Sequence, residues 1–310
     1  MFKRKKIGLA LGSGGAKGFA HIGVLKVLEK NKIPIDFISG TSMGALIGGL
    51  YCKNPDAKKL EKDILKKDFK KILDYTLSKT GLVKGNKIHD LLKDELGNIE
   101  FKELKIPLYV TSFDIGNNRE VIFHKGSVIK AIRASISIPG LFIPVENKKR
   151  ILVDGGVIDP IPTEILRRNK ADIVIAVNVN SMRLKNPVLN EEAVNRNDYK
   201  KIPSMIRSAS RSMQVIISES SKYDLDDKKA DFIININTEK IGTLDFTKAK
   251  EAIKLGENTA KRHLRDIDDL RAPNIFKEFL NELKKNLNVN VLDNNIDMKI
   301  INKSLKKLKI

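Results

Sequence analysis

The sequence predicts an α/β protein built on a parallel sheet, and three stretches carry the prediction. Ile7 to Ser39 reads as strand, glycine-rich loop, helix and strand, a unit that implies parallel strands joined by a right-handed crossover. Phe37 to Leu50 carries an apolar run through Gly40-Thr41-Ser42-Met43-Gly44 into a small-residue helical run. Ile151-Leu152-Val153-Asp154 is an apolar strand ending in a carboxylate, and parallel sheets gather their sites at the carboxyl ends of strands.

Taken in order, Ile7-Gly8-Leu9-Ala10-Leu11 is a short buried strand. Gly12-Ser13-Gly14-Gly15-Ala16-Lys17-Gly18 follows, then an amphipathic helix ending near Asn31 and a second strand from Ile35 to Ser39. Residues 53–104 are lysine-rich and helical in pattern. They are broken at Thr80–Gly85, where two glycines fit a connection between helices or a loop that moves over a site. Ile106 to Asp114 and Glu120 to His124 read as strands, and Val128 to Ser135 as a short helix. Ala134 to Val145 is apolar and pinned by Pro139 and Pro144, so it walls a pocket or packs beneath the sheet. Asp159-Pro160-Ile161-Pro162 turns rigidly into a helix from Thr163, and Ala171 to Asn178 is another strand. Residues 181–203 form a polar surface loop, Ser204 to Ser221 a helix, Asp231 to Ile236 a strand, and Phe246 to Leu270 one charged helix. Ala272-Pro273 then punctuates the chain, giving a folded region, 1–271, and a Lys/Asn-rich extension, 272–310.

Composition narrows the function. A chain of 310 residues can bury one large core or two smaller ones. No run reaches the roughly 20 apolar residues of a membrane span, and the apolar run after the basic start is too short for a signal peptide. A cytoplasmic location is expected. Cys52 is the sole cysteine and the four histidines are scattered, so neither a disulfide nor a metal site is expected. No cofactor is expected either. The net charge of +20 is a solvated lysine surface or an attraction to a polyanion. No nucleic-acid-binding signature accompanies it. Peripheral association with an anionic membrane is the reading carried forward.

The chemistry centres on Ser42. A Gly-x-Ser-x-Gly pentapeptide arises by chance roughly once in ten chains of this length, so its context decides. Strand before and helix after is the context that puts a serine hydroxyl on a sharp exposed turn, with the helix amino end facing developing negative charge. Gly40 and Gly44 keep that turn free of crowding. The first glycine loop is no P-loop, because Lys17 is followed by Gly18 rather than Ser or Thr. It fits a dinucleotide fingerprint poorly, because the third glycine position holds Lys17 and Asp36 lies inside a strand. Its backbone N–H groups suit an oxyanion hole, and Lys17 either supports charge there or is a solvated helix-start residue. Asp154-Gly155-Gly156 in isolation is an ordinary turn; after a buried strand it delivers a carboxylate.

Gly14-Gly15-Ala16-Lys17-Gly18, Gly40-Thr41-Ser42-Met43-Gly44 and Asp154-Gly155-Gly156 together resemble the signature blocks of patatin-like phospholipases. Ala20-His21-Ile22-Gly23-Val24-Leu25 and Ser135-Ile136-Ser137-Ile138-Pro139-Gly140 are similar to bacterial members. The resemblance implies a three-layer α/β/α fold around a mostly parallel sheet. It also implies a serine acyl hydrolase of the phospholipase A or lysophospholipase kind. Ser42 would be the nucleophile and Asp154 its base, without a histidine between them. The amides of Gly14 and Gly15, with Ala16, would form the oxyanion hole, supported by Lys17, Gly155 and Gly156. The substrate would be phospholipid or another acyl-ester lipid, passing through an acyl-enzyme. Two departures stand out: Ser13 occupies a position that is glycine in many bacterial relatives, and Lys17 replaces the commoner arginine.

Two alternatives remain at this point. One is a lipid-binding or regulatory protein that keeps the fold and barely catalyses. The other is a Ser-Asp-His esterase using His263, since Ser42, Asp154 and His263 occur in the chain order of α/β-hydrolases. The dyad scheme predicts no loss of activity attributable to a histidine between pH 7.5 and 6.

Overall fold

A computed structural model describes residues 4–69, 83–147, 149–180, 212, 215–217, 219, 220 and 230–271. The chain divides into two units, Met1–Leu270 and Arg271–Ile310. The description below concerns the first.

The centre is an eight-stranded sheet: β1 (Ile7–Leu11), β2 (Phe37–Thr41), β3 (Leu108–Asp114), β4 (Arg119–Phe123), β5 (Val145–Asn147), β6 (Arg150–Asp154), β7 (Ile173–Asn178) and β8 (Phe232–Asn235). Its order is β5-β6-β3-β2-β1-β7-β8, with β4 paired to β3. The β1–β2, β2–β3, β1–β7 and β7–β8 pairs are parallel. The β3–β4, β3–β6 and β5–β6 pairs are antiparallel. The order runs outward from β1 in both directions, so the chain reverses its build between β1 and β7. The crevice at the carboxyl ends of those strands is where ligands enter open α/β sheets.

The helices are α1 (Ala20–Lys30), α2 (Met43–Lys53), α3 (Ala57–Lys66), α4 (Asn86–Leu96), α5 (Val128–Ser135), α6 (Glu164–Arg168), α7 (Ala249–Arg262) and α8 (Leu264–Arg271). Side chains start two of them where the sequence supplies a cap. Asp56 accepts from Lys59 N at the head of α3, and Ser127 accepts from Lys130 N at the head of α5.

Strand alternation sorts the core. Ile7, Leu9 and Leu11 face a large cluster with Leu25, Leu46 and Ile253 from α1, α2 and α7. Ala10 faces the other way, onto Ile161, Leu166, Val174 and Ala176. Helices thus flank the sheet, but the two layers are unequal. Among the described residues the second face is covered by short α6 and the 158–163 segment.

Several boundaries differ from the sequence expectation. β2 starts at Phe37 and runs to Thr41, so Asp36 lies before the strand, where its carboxylate binds Arg4 and accepts from Ile7 N. The β5 strand was not foreseen; three half-polar residues carry no alternation signal. The single helix expected over 246–270 is a 3₁₀ turn, Phe246–Lys248, then α7 and α8 broken at His263. There His263 N bonds Ala260 O instead of continuing the α pattern. Apolar Leu141 and Phe142 of the proline-pinned loop are buried in the main core, while Gly140 is exposed. The expected polar loop at 181–203, most of the helix from Ser204, and the break at 80–82 lie outside the described residues.

Candidate active site

Ser42 stands between β2 and α2 with φ 56° and ψ −120°. A non-glycine residue tolerates such a backbone only when its surroundings fix it, and here they do. Ser42 N donates to Ser135 Oγ at 2.8 Å, and Leu46 N closes the first turn of α2 on Ser42 O at 3.1 Å. The flanking glycines are sites of close approach rather than of unusual φ. A Cβ on Gly44 would stand 2.0 Å from Leu11 O, and one on Gly40 would stand 2.6 Å from the Gly44 backbone. The amino end of α2 therefore rests directly on the end of β1, and Ser42 is only 4% exposed.

Asp154 is brought to Ser42 by an arrangement that spacing alone does not reveal. Along one edge of β3, Thr111 pairs with Thr41 of β2, and the next residue, Ser112, pairs with Asp154 of β6. β2 and β6 are thus laid end to end against a common neighbour, running in opposite directions, and their carboxyl ends meet. Ser42 Oγ donates to Asp154 Oδ2 at 2.5 Å. The other oxygen, Oδ1, accepts from Gly156 N at 2.8 Å. A Cβ on Gly155 would come 2.5 Å from Thr111 O, so this turn also needs a small residue. Burial pushes the Asp154 carboxyl up from 3.8 to about 7, against the opposing pull of the hydrogen bonds from Ser42 and Gly156.

The glycine loop lies at the β1–β7 crevice, and its backbone polar groups can be accounted for nearly one by one. Gly12 N donates to Val177 O, Ser13 N to Pro160 O, Ala16 N to Thr243 O and Lys17 N to Gly14 O. His21 Nε2 bonds Gly12 O at 2.7 Å, and Asn180 Nδ2 donates to Ser13 O at 2.7 Å. Among the described residues the N–H groups of Gly14 and Gly15 have no hydrogen-bond partner. Two adjacent backbone donors in a loop held by so many other hydrogen bonds are chemically suited to bind an anionic oxygen. Ala16, expected as a third donor, is corrected: its N–H is committed to Thr243 O at 2.8 Å.

A family model described as patatin-like phospholipase matches residues 9–167, which include the glycine loop, the Ser42 turn and Asp154. The chain belongs to the patatin-like phospholipase family. An uncharacterized NTE family protein of Mycobacterium tuberculosis is 35% identical over 222 residues, which cover 69% of this chain and 59% of that protein. Lysophospholipase NTE1 of Saccharomyces cerevisiae is 28% identical over 287 residues, 87% of this chain and 17% of that one. This patatin-like chain thus spans about three fifths of the mycobacterial relative and a much smaller part of the yeast one. Among solved structures, VipD from Legionella pneumophila aligns over 86% of this chain and 67% of that one, with a TM-score of 0.47 and 14% identity.

The remaining patatin-family positions fall as follows. Lys17 is buried in the 3₁₀ turn Gly15–Phe19 that follows the loop. Ser13, the departure from glycine, is buried 1% exposed, and its Oγ has no hydrogen-bond partner among the described residues. His263 does not join the site. It pairs with Asp266 at 3.0 Å and packs edge-on against Phe232. Phe232 is the first residue of β8, which runs parallel to β7, so His263 sits toward the amino ends of the strands. His21 is fully buried, and burial pushes its imidazole down to about 4. It is neutral near pH 7 and donates from Nε2 to the Gly12 carbonyl, which can only accept. His124 follows β4 and packs against Tyr109. Sequence reading missed Ser135, Thr243 and Asn180. Each bonds a backbone group far away in the chain; Ser135 lies in a stretch quoted for the family resemblance, but that stretch does not show which amide its hydroxyl serves.

Proposed function

We propose that this chain is a serine acyl hydrolase acting on phospholipid or lysophospholipid esters through a Ser42–Asp154 dyad. The observation that carries the reading is the 2.5 Å bond from Ser42 Oγ to the buried carboxyl group of Asp154. An aspartate of ordinary acidity is a poor base for a serine hydroxyl. A carboxyl group pushed up to about 7 by burial is a far better one.

The steps follow from the geometry. Ser42 Oγ attacks the ester carbonyl carbon as its proton passes to Asp154 Oδ2. The carbonyl oxygen becomes an oxyanion held by Gly14 N and Gly15 N, with the amino end of α2 adding favourable potential. Collapse breaks the bond to the alcohol, which leaves with the proton from Asp154, and the acyl group stays on Ser42. Water then gives a proton to Asp154 and attacks the acyl carbon. A second collapse restores Ser42 Oγ–H and releases the fatty acid.

The lipid assignment rests on family membership and on names such as lysophospholipase among the relatives. The net charge of +20 supports a reaction at an anionic membrane surface. Among the described residues no helix is long and apolar enough to cross a membrane, so association would be peripheral for this part of the chain.

The decisive test is fluorophosphonate labelling of the native protein, with the modified peptide mapped by mass spectrometry. The adduct is expected on Ser42 and is expected to vanish in Asp154→Asn. Lysophospholipid micelles should be cleaved far faster than short soluble esters. A folded protein that takes no label would remove the catalytic reading, and a preference for soluble esters would remove the lipid one.

A further inference from the structure

The turn that ends α5 holds three polar side chains that the reaction scheme does not use: Arg133, Ser135 and Ser137. Ser135 and Ser137 are fully buried. We propose that Ser135 is a positioning residue for Ser42, and that the turn from Arg133 to Ser137 braces nucleophile and base at hydrogen-bonding distance. The proposal rests on the dyad reading above and concerns what holds the dyad together.

Ser42 sits at a backbone angle that takes its N–H out of both the strand ladder and the helix. The partner of that N–H is Ser135 Oγ, at 2.8 Å. The same hydroxyl spends its proton on Thr111 O, at 2.6 Å. A hydroxyl with its donor and acceptor both engaged cannot rotate freely. It is tied to β3 on one side and to the nucleophile on the other. Two residues on, Ser137 O accepts from Asp154 N at 2.9 Å. One short turn thus grips the main chain of both dyad members, which lie 112 residues apart in sequence.

Arg133 fixes the turn itself. Its Nη1 donates to Ser137 Oγ at 2.7 Å, and Ser137 Oγ donates to Arg133 O at 2.8 Å. Nη2 donates to Lys84 O at 2.7 Å and to Ile143 O at 3.1 Å. The planar fork therefore joins the turn to the proline-pinned loop and to the segment entering α4, which lysine could not do with one point charge. Without Ser135 Oγ the Ser42 N–H is buried and unpaired, and the strained angle loses a restraint. Ser42 Oγ would then drift from Asp154 Oδ2. A displacement near 1 Å in a reacting group is enough to cost about 100-fold in rate.

The test measures the rate constant for fluorophosphonate labelling as a function of pH on the full chain, together with Tm. Ser135→Ala should label about 10- to 100-fold more slowly than wild type. Its acid limb should also move to higher pH, because the Ser42 hydrogen bond that lowers the pKa of Asp154 is weakened. Ser135→Thr, which keeps the hydroxyl, should label close to the wild-type rate with an unmoved limb. Arg133→Gln should slow labelling several-fold and move the limb the same way. It also decides the matter if Ser135→Ala does not fold. Wild-type rates in folded Ser135→Ala and Arg133→Gln would overturn the proposal. So would a loss that tracks Tm with an unmoved limb, since that is simple destabilisation. Absence of label on the wild type overturns the dyad reading and the brace with it; label on Ser42 with indifferent variants overturns the brace alone.

Discussion

Asp154 is asked to be buried and to be charged, and these requirements oppose each other. Its folded-state value is raised from 3.8 to about 7 by burial. The folded protein therefore holds a proton between those values that the unfolded chain has lost. Stability from this group is full below about pH 4, falls as pH rises through 7, and is flat above. Asp154→Asn should accordingly raise stability at pH 8, on the order of 4 kcal/mol for the shift cited, while abolishing hydrolysis. Thermal melts at pH 8 and pH 4 check this, and the gain should vanish at the lower pH. Activity through the proposed dyad has the opposite sign: it needs the carboxylate and should fall with an acid limb near pH 7. A limb there looks like a histidine, so the pH profile cannot separate the dyad from a triad. His263→Ala can, and it should keep wild-type kcat. The turn at Ser42 and the strand end at Asp154 were legible in the sequence because each sits in a local pattern, a serine between glycines after a strand and a carboxylate closing one. Ser135 and Thr243 were not, because a hydroxyl or carbonyl that serves a remote amide looks like any other. The error over Ala16 has the same cause.

Among the elements, α1 and α7 meet at backbone contact. A Cβ on Gly23 would stand 2.0 Å from Ile253 O, and one on Gly256 would stand 2.0 Å from Ala20 O. Neither overlap can be relieved by turning a side chain, so the helices would have to part. Gly256→Ala should destabilise the fold by about 3 kcal/mol, read as a lower urea midpoint. It should also slow Ser42 labelling, because α1 follows directly on the turn that carries Gly14 and Gly15. The strands and helices with clear periodicity were readable, including β1, α5 and β7. The two features that were not, β5 and the break at His263, are made by partners. β5 exists because β6 pairs with it. The helix breaks where His263 turns to Asp266 and Phe232.

For the whole molecule, the α/β class followed from a strand–loop–helix–strand unit, but the placing of Asp154 by an antiparallel strand did not. Pairing across β3 joins residues that no window of sequence contains together. Charge is the other whole-chain property. With 58 Lys and Arg against 38 Asp and Glu, the protein should sediment with vesicles containing anionic lipid at low salt. It should be released as ionic strength rises and the Debye length shrinks to about 8 Å. Ser42→Ala should bind equally, since the attraction belongs to the surface. Equal sedimentation with zwitterionic vesicles, or indifference to salt, would remove this expectation.

The end-to-end seating of β2 and β6 on β3 also sets a timetable. Ribosomes deliver the chain from its amino end at about 5–20 residues per second. The serine turn and the glycine loop therefore emerge several seconds before the carboxylate, which comes 112 residues after the serine. Until β6 docks, the nascent chain carries Ser42 without its hydrogen-bond partner Asp154. On the proposed dyad, a half-made copy would be silent toward the lipids around it and would gain reactivity when the last of the two strands reaches the shared edge.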